Sequence, residues 1–126
     1  MWNPYNANPL HNRVGDCTVR AISTVLNQDW YETFIDLCLI SIKMADMPSA
    51  DVVWGKYLKS KGFRRSILSC DSDLCTTVND FCKKNPKGTF IVCPKNHVVA
   101  VKDGRFFDTW DSGDESINFF WKKENE

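Results

Sequence analysis

The chain lacks the features that mark membrane, secreted and nucleic-acid-binding proteins. Its longest apolar runs fall well short of the roughly 18 residues that a transmembrane helix needs. The first ten residues contain neither the basic segment nor the apolar core of a secretory signal. Lys plus Arg and Asp plus Glu both number 16, so no basic excess is available for a phosphate backbone. We therefore expect a cytoplasmic protein that acts on neither membranes nor nucleic acids.

The six cysteines lack the close pairing that is typical of zinc ligands. Cys70, Cys75 and Cys82 follow one another at intervals of five and seven residues, without a CxxC pair. In the absence of a secretory signal, the six are expected to be reduced thiols. Cys38, Cys82 and Cys93 lie in apolar patterns and are predicted core residues. Neither a metal nor any other cofactor is predicted.

The residues that are present predict one α+β domain spanning residues 1–126. An apolar content of 43% in 126 residues is enough for a buried core. Helical periodicity dominates the first two thirds, and the last third has the short β-rich runs of a sheet. We expect helices packed on a small antiparallel sheet. The predicted helices begin after a loop over 1–12, near Cys17, Asp29, Val53 and Asp73, and the predicted strands cover 63–69, 89–93, 97–101, 105–110 and 116–121.

One hairpin in this sheet brings a histidine close to a carboxylate. Asp103-Gly104, between two strand patterns, is a strong signal for a two-residue turn. That turn places His97 and Asp108 on one face as diagonal neighbours, because side chains alternate along a strand. A shift of one residue would separate them and leave Asp111 as the alternative acid.

A third residue completes a possible catalytic set. Asp16 is a plausible N-cap, which puts Cys17 at the first position of a helix. A helix N-terminus and a nearby imidazolium both lower the pKa of a thiol. His97 would then take the thiol proton, and Asp108 would orient the imidazole. The carboxylate of Asp16 opposes the thiolate, less so if it caps the helix.

The developing oxyanion of such a reaction needs hydrogen-bond donors. The backbone N–H of Cys17 is one candidate, and the side-chain amide of Asn12 is the preferred second donor. Asn6 and His11 are the alternatives for that second position.

Three segments resemble the papain-like cysteine peptidases. The segment 15–23, which reads Gly-Asp-Cys-Thr-Val-Arg-Ala-Ile-Ser, is similar to the nucleophile motif of the OTU-type deubiquitinases. The His97 segment and Asp108-Thr109-Trp110 resemble the histidine segment and the Asn-Ser-Trp segment of papain. The resemblance implies a minimal papain-like fold, with Trp110 shielding the His–Asp pair. The family's usual oxyanion glutamine is replaced here by Asn12 or His11.

The resemblance implies a cysteine peptidase or isopeptidase that acts on a peptide or protein through a thioester on Cys17. Two alternatives stay open. Transglutaminases and arylamine acetyltransferases use the same three residue types to transfer acyl groups. A papain-like fold can also serve as a binding module without catalysis.

Overall fold

The computed structural model describes residues 1–68 and 76–125. Within these ranges, helices dominate the first half and strands dominate the second. The elements are β1 (Trp2–Pro4), α1 (Cys17–Leu26), α2 (Trp30–Met44), α3 (Asp51–Ser60), β2 (Phe63–Ile67), α4 (Val78–Lys84), β3 (Thr89–Pro94), β4 (Val99–Lys102), β5 (Arg105–Asp108) and β6 (Ile117–Lys123).

The strands form a single mixed sheet with helices on both faces. Its order is β1-β5-β4-β3-β6-β2, and neighbours are antiparallel except for β1, which runs parallel to β5. Alternate residues of the central strands enter two apolar cores, as expected for strands covered on both faces. Ile91 and Ala100 pack with α1 and α3, whereas Phe90 and Val101 pack with α4. Helix α2 packs on α1 and α3, outside the layer that touches the sheet.

The predicted α+β class is confirmed, but the prediction of a small antiparallel sheet is wrong. The sheet has six strands, and β1 comes from the segment that was expected to be a loop. Trp2 pairs with Phe106 and Pro4 with Asp108 in parallel register. Strand β1 has only three residues, one of them a proline, so its sequence gives little strand signal. Its formation depends on pairing with β5, about 100 residues later in the chain.

The predicted hairpin register is confirmed. Lys102 pairs with Arg105 across the turn. Asp103 and Gly104 both have positive φ, 50° and 76°, which is the backbone geometry of a type I′ turn. The flanking strands are shorter than predicted, because β4 begins two residues after His97 and β5 ends at Asp108.

The helix predictions are mostly confirmed. Helix α1 begins at Cys17, and the side chain of Asp29 caps α2 through Tyr31 N. Helix α4 begins at Val78, later than predicted, because Thr77 forms a capping box there. The predicted start near Asp73 lies outside the described residues.

Two of the three cysteines predicted to be in the core are fully buried. Cys82 and Cys93 are inaccessible, whereas Cys38 is half-buried and its neighbour Phe34 is exposed on α2. These three cysteines and Cys17 are free thiols, and Cys70 and Cys75 lie outside the described residues. Of the helices in residues 1–68 and 76–125, none is long and apolar enough to cross a membrane.

Candidate active site

Cys17 occupies the first position of α1, at the wall of a cleft of about 460 Å³. We call this the Cys17 cleft; it is lined on the helical side by Thr18, Ser49, Asp51 and Trp54, and on the sheet side by residues 93–98 with Asn118 and Phe119. The first N–H groups of a helix have no acceptor within it, so the positive end of the helix dipole lies where Cys17 stands. Helix α1 is held against β3, β4 and β5, and this packing brings Cys17 to the sheet.

Asp16 is the N-cap residue by position, but its side chain does not cap the helix. The carboxylate instead accepts hydrogen bonds from Arg20 Nε at 2.8 Å, Trp30 Nε1 at 3.0 Å and Asn8 Nδ2 at 3.1 Å. The predicted N-cap position is confirmed, but the condition that the carboxylate caps the helix is not met. Its charge is offset by Arg20, and the N–H groups of the first turn of α1 are left without this cap.

Cys17 and His97 line the same cleft, and His97 lowers the pKa of the Cys17 thiol. Burial raises the pKa of the Cys17 thiol, whereas His97 lowers it, both as a hydrogen-bonding group and as a positive charge. The backbone N–H of Val98 and the charge of Arg20 act in the same direction, and the pKa falls below its ordinary value of 9.0. The thiolate is thus stabilised by three separate groups.

His97 is held by Asp108 on its other side. His97 Nε2 lies 2.6 Å from Asp108 Oδ2. A carboxylate only accepts hydrogen bonds, so Nε2 donates and Nδ1 is the nitrogen that remains for Cys17. Burial lowers the pKa of His97, yet the bonds to Asp108 and Cys17 outweigh it and raise the pKa to about 9. The lowered pKa of Cys17 and the raised pKa of His97 both favour the thiolate–imidazolium form of the pair.

Asp108 is itself firmly positioned. It is almost fully buried, and its carboxylate accepts hydrogen bonds from Ser112 Oγ at 2.7 Å and from Thr109 N at 2.8 Å. Burial raises the pKa of Asp108, but hydrogen bonds from His97 and Ser112 and the charge of His97 lower it overall. The backbone carbonyl of Asp108 accepts hydrogen bonds from Tyr5 N and Trp2 Nε1, which ties β1 to the site.

Arg20 joins the two carboxylates around the nucleophile. Besides the bond to Asp16, its Nη1 donates to Thr109 Oγ1 at 3.1 Å and lies 3.6 Å from Asp108 Oδ1. Sequence reasoning missed this role, although Arg20 follows Asp16 by four residues on a predicted helix, a spacing that favours ion pairs. The sequence also contains no local signal for two further donors: Ser112, which donates to Asp108, and Asn8, which donates to Asp16.

The alternatives for the third residue are resolved by geometry. Asp111 is exposed and accepts a hydrogen bond from Gly113 N in a turn, so Asp108 is the carboxylate that meets His97. The ring of Trp110 lies 5.2 Å from the ring of His97, at an interplanar angle of 32°. Trp110 thus covers one face of the imidazole while remaining partly exposed itself.

The predicted oxyanion donor lies beside the cleft, not in it. Asn12, Asn6 and His11 line a separate cavity of about 810 Å³, which also contains Trp110 and Arg20 and which we call the Asn12 cavity. Gly15 borders both spaces, so they meet next to the nucleophile. Two other amides, those of Asn96 and Asn118, line the Cys17 cleft itself.

The arrangement of Cys17, His97 and Asp108 can carry out nucleophilic chemistry on a carbonyl group. A polarised thiol, a base that is oriented by a buried carboxylate, and a helix N-terminus are the elements that acyl transfer through a thioester requires. Comparison of the chain with models of protein families, with curated proteins and with solved structures finds no match.

Proposed function

We propose that this chain is a cysteine-dependent hydrolase of peptide or isopeptide bonds. One observation carries the proposal: Cys17 and His97 line the same cleft, and His97 Nε2 lies 2.6 Å from the buried carboxylate of Asp108. Buried structural cysteines have raised pKa values, as Cys82 has here, whereas the pKa of Cys17 is lowered.

The reaction begins with the Cys17 thiolate attacking the scissile carbonyl carbon, which gives a tetrahedral oxyanion. The His97 imidazolium donates its proton to the leaving amine as the C–N bond breaks, and a thioester remains. A water molecule then loses a proton to His97 and attacks the thioester. The carboxylic acid leaves, and the Cys17–His97 pair is restored.

The oxyanion would be bound by the N–H of Cys17 at the start of α1, and by a second donor. Asn12 was the sequence-based candidate, but its place in the neighbouring cavity favours Asn96 or Asn118, which line the Cys17 cleft. The geometric requirement is a donor about 3 Å from the oxyanion position.

We also propose that the fold is papain-like and that the protein works in the cytoplasm. A helix that begins with the nucleophile and packs on a sheet that carries the base and acid matches the papain-like layout. Four free thiols in the described ranges suit a reducing compartment such as the cytoplasm.

The substrate class follows from the two open spaces that meet at Gly15. The Cys17 cleft and the Asn12 cavity lie on either side of this residue, so an extended chain can occupy both and cross the nucleophile. A peptide or protein segment fits this course better than a small amide does. Asp51 and Lys95 in the cleft give it charges of both signs.

The test is the pH dependence of Cys17 alkylation by iodoacetamide, with adducts located by peptide mass mapping. We expect Cys17 to react at lower pH than Cys82 and Cys93, because the pKa of Cys17 is lowered whereas burial raises the pKa values of the other two. His97→Ala should abolish this selectivity. The matched control is His11→Ala, which removes the only other histidine and should leave the reaction unchanged.

Ordinary reactivity of Cys17 that is insensitive to His97→Ala would contradict the proposal. Acyl transfer is the second candidate, because it uses the same thioester. A primary amine added to the peptidase assay separates the two: an acyltransferase forms the amide product, whereas a hydrolase forms only the free acid. If Cys17→Ala keeps the full biological effect, the chain is a binding module.

A further inference from the structure

Helix α2 has an apolar surface that nothing in the described residues covers. Its inner face, with Thr33 and Leu37, is fully buried against α1 and α3. A helix that is apolar on its other side too is normally buried all round. Here that other side is open to water. The exposed stripe consists of Tyr31 at 50%, Ile35 at 57%, Leu39 at 55% and Ile42 at 76% relative exposure.

These four residues, which we call the α2 outer face, follow one another at intervals of four, four and three. This spacing keeps them on one side of a helix. Phe34, 40% exposed, adjoins their edge. Single exposed apolar residues need no explanation, but a contiguous patch of this kind marks an interface.

We infer that the α2 outer face is a homodimer interface, in which α2 packs antiparallel against α2 of a second copy about a two-fold axis. Two properties of the α2 outer face favour a second copy of the chain as its partner: the charge pattern and the area.

The charges flank the stripe in a self-complementary way. Glu32 and Lys43 are exposed near opposite ends of α2 and lie on the same edge, because they are about three turns apart. A two-fold axis across the middle of the helix brings Glu32 of each copy beside Lys43 of the other. The zero net charge of the chain adds no general repulsion.

The area suits a pair of copies. Half-exposed side chains of this size each leave about 100 Å² in contact with water, so the stripe and Phe34 leave on the order of 500 Å² per copy. Homodimer interfaces are about 65% apolar, so this corresponds to about 800 Å² per partner, the usual share in a stable complex. The acidic residues Glu32 and Asp36 beside the stripe disfavour an anionic lipid surface instead.

The test is sedimentation velocity of the full chain over about 1–300 µM, a range that brackets micromolar dissociation constants. We expect the wild type to dimerise and Ile42→Glu to weaken dimerisation about 100-fold or more, because it places a charge in the apolar stripe, once in each copy. The matched control is Ile67→Glu on β2, where the isoleucine is equally exposed, at 73%, and lies outside α2. This variant should dimerise like the wild type.

Charge reversal provides an independent readout. Glu32→Lys and Lys43→Glu should each weaken dimerisation about tenfold, since each affects two symmetric pairs, and the double variant should restore it. Circular dichroism and the Tm of the monomers check that every variant folds. A wild type that stays monomeric throughout, or a dimer that Ile42→Glu leaves intact, overturns the inference. So does a dimer that Ile67→Glu dissociates equally.

Discussion

The guanidinium of Arg20 lies 3.6 Å from the carboxylate of Asp108, so an ion pair joins the nucleophile helix to the strand that carries the third residue of the site. The same guanidinium neutralises Asp16, the residue before the nucleophile. One side chain thereby links α1 to β5 and reduces the negative charge that opposes the Cys17 thiolate.

Replacement of Arg20 should affect both stability and reactivity. Arg20→Gln leaves the Asp16 carboxylate buried without its cation, which should lower the free energy of unfolding by about 3 kcal/mol. It also removes one of the charges that lower the pKa of Cys17. We expect alkylation of Cys17 to require a higher pH, as measured with iodoacetamide.

The matched control for this change is Arg13→Gln, because Arg13 is exposed on the wall of the same cavity. Urea denaturation should give equal midpoints for Arg13→Gln and the wild type. Equal losses of stability in the two variants would show that Arg20 is only one more surface charge.

Hydrolysis should depend on pH through a bell-shaped curve. The active form holds a thiolate and an imidazolium, so activity rises with pH as Cys17 ionises at its lowered pKa. It falls as His97 loses its proton, with the pKa raised to about 9. A fluorogenic peptide library assayed from acid to alkaline pH provides the measurement. An alkaline limb near pH 6.5 would mean that Asp108 does not hold the imidazolium.

Asp108→Asn should shift that alkaline limb. The amide keeps the shape of Asp108 but removes the negative charge that raises the pKa of His97, so the limb should move to lower pH. We expect kcat to fall about 100-fold or more, since an amide can also present its N–H to the imidazole. Asp111→Asn removes a nearby exposed carboxylate and should change neither quantity.

Ser112→Ala tests the support of Asp108 without touching its charge. The hydroxyl donates to Asp108 Oδ2, the same oxygen that His97 contacts. Without this donor the carboxylate can rotate, so we expect kcat to fall about tenfold with little change in KM. A change confined to KM would place Ser112 in substrate binding instead.

Three asparagine variants should identify the second oxyanion donor. Asn12→Ala should change kcat less than tenfold, because Asn12 lies in the neighbouring cavity. Of Asn96→Ala and Asn118→Ala in the Cys17 cleft, the variant that removes the donor should lower kcat about 100-fold. If Asn12→Ala has the largest effect, the sequence-based assignment holds and the loop that carries Asn12 must move on substrate binding.

The parts that sequence reasoning predicted are those with local signals. Asp103-Gly104 determines the hairpin register through its turn type, and the register brings Asp108 to His97. The start of α1 followed from the polar residue at position 16 and the apolar periodicity after it. Both depend on a few neighbouring residues.

The parts that were missed depend on contacts between distant residues. The side chain of Asp16 was expected to cap α1, but bonds from Arg20, Trp30 and Asn8 compete for the same carboxylate. The amide of Asn12 was chosen for its distance from Cys17 along the chain; Asn12 lines the neighbouring cavity, and its role stays a prediction. Local propensity contains no information on either outcome.

Strand β1 also protects the protein from aggregation. The edge of a sheet offers unpaired N–H and C=O groups to any other extended chain, and β5 would be such an edge without β1. As the new edge, β1 is only three residues long and ends at Pro4, which has no N–H to donate. The first five residues therefore do more than brace Asp108: they close this side of the sheet to intermolecular strand pairing.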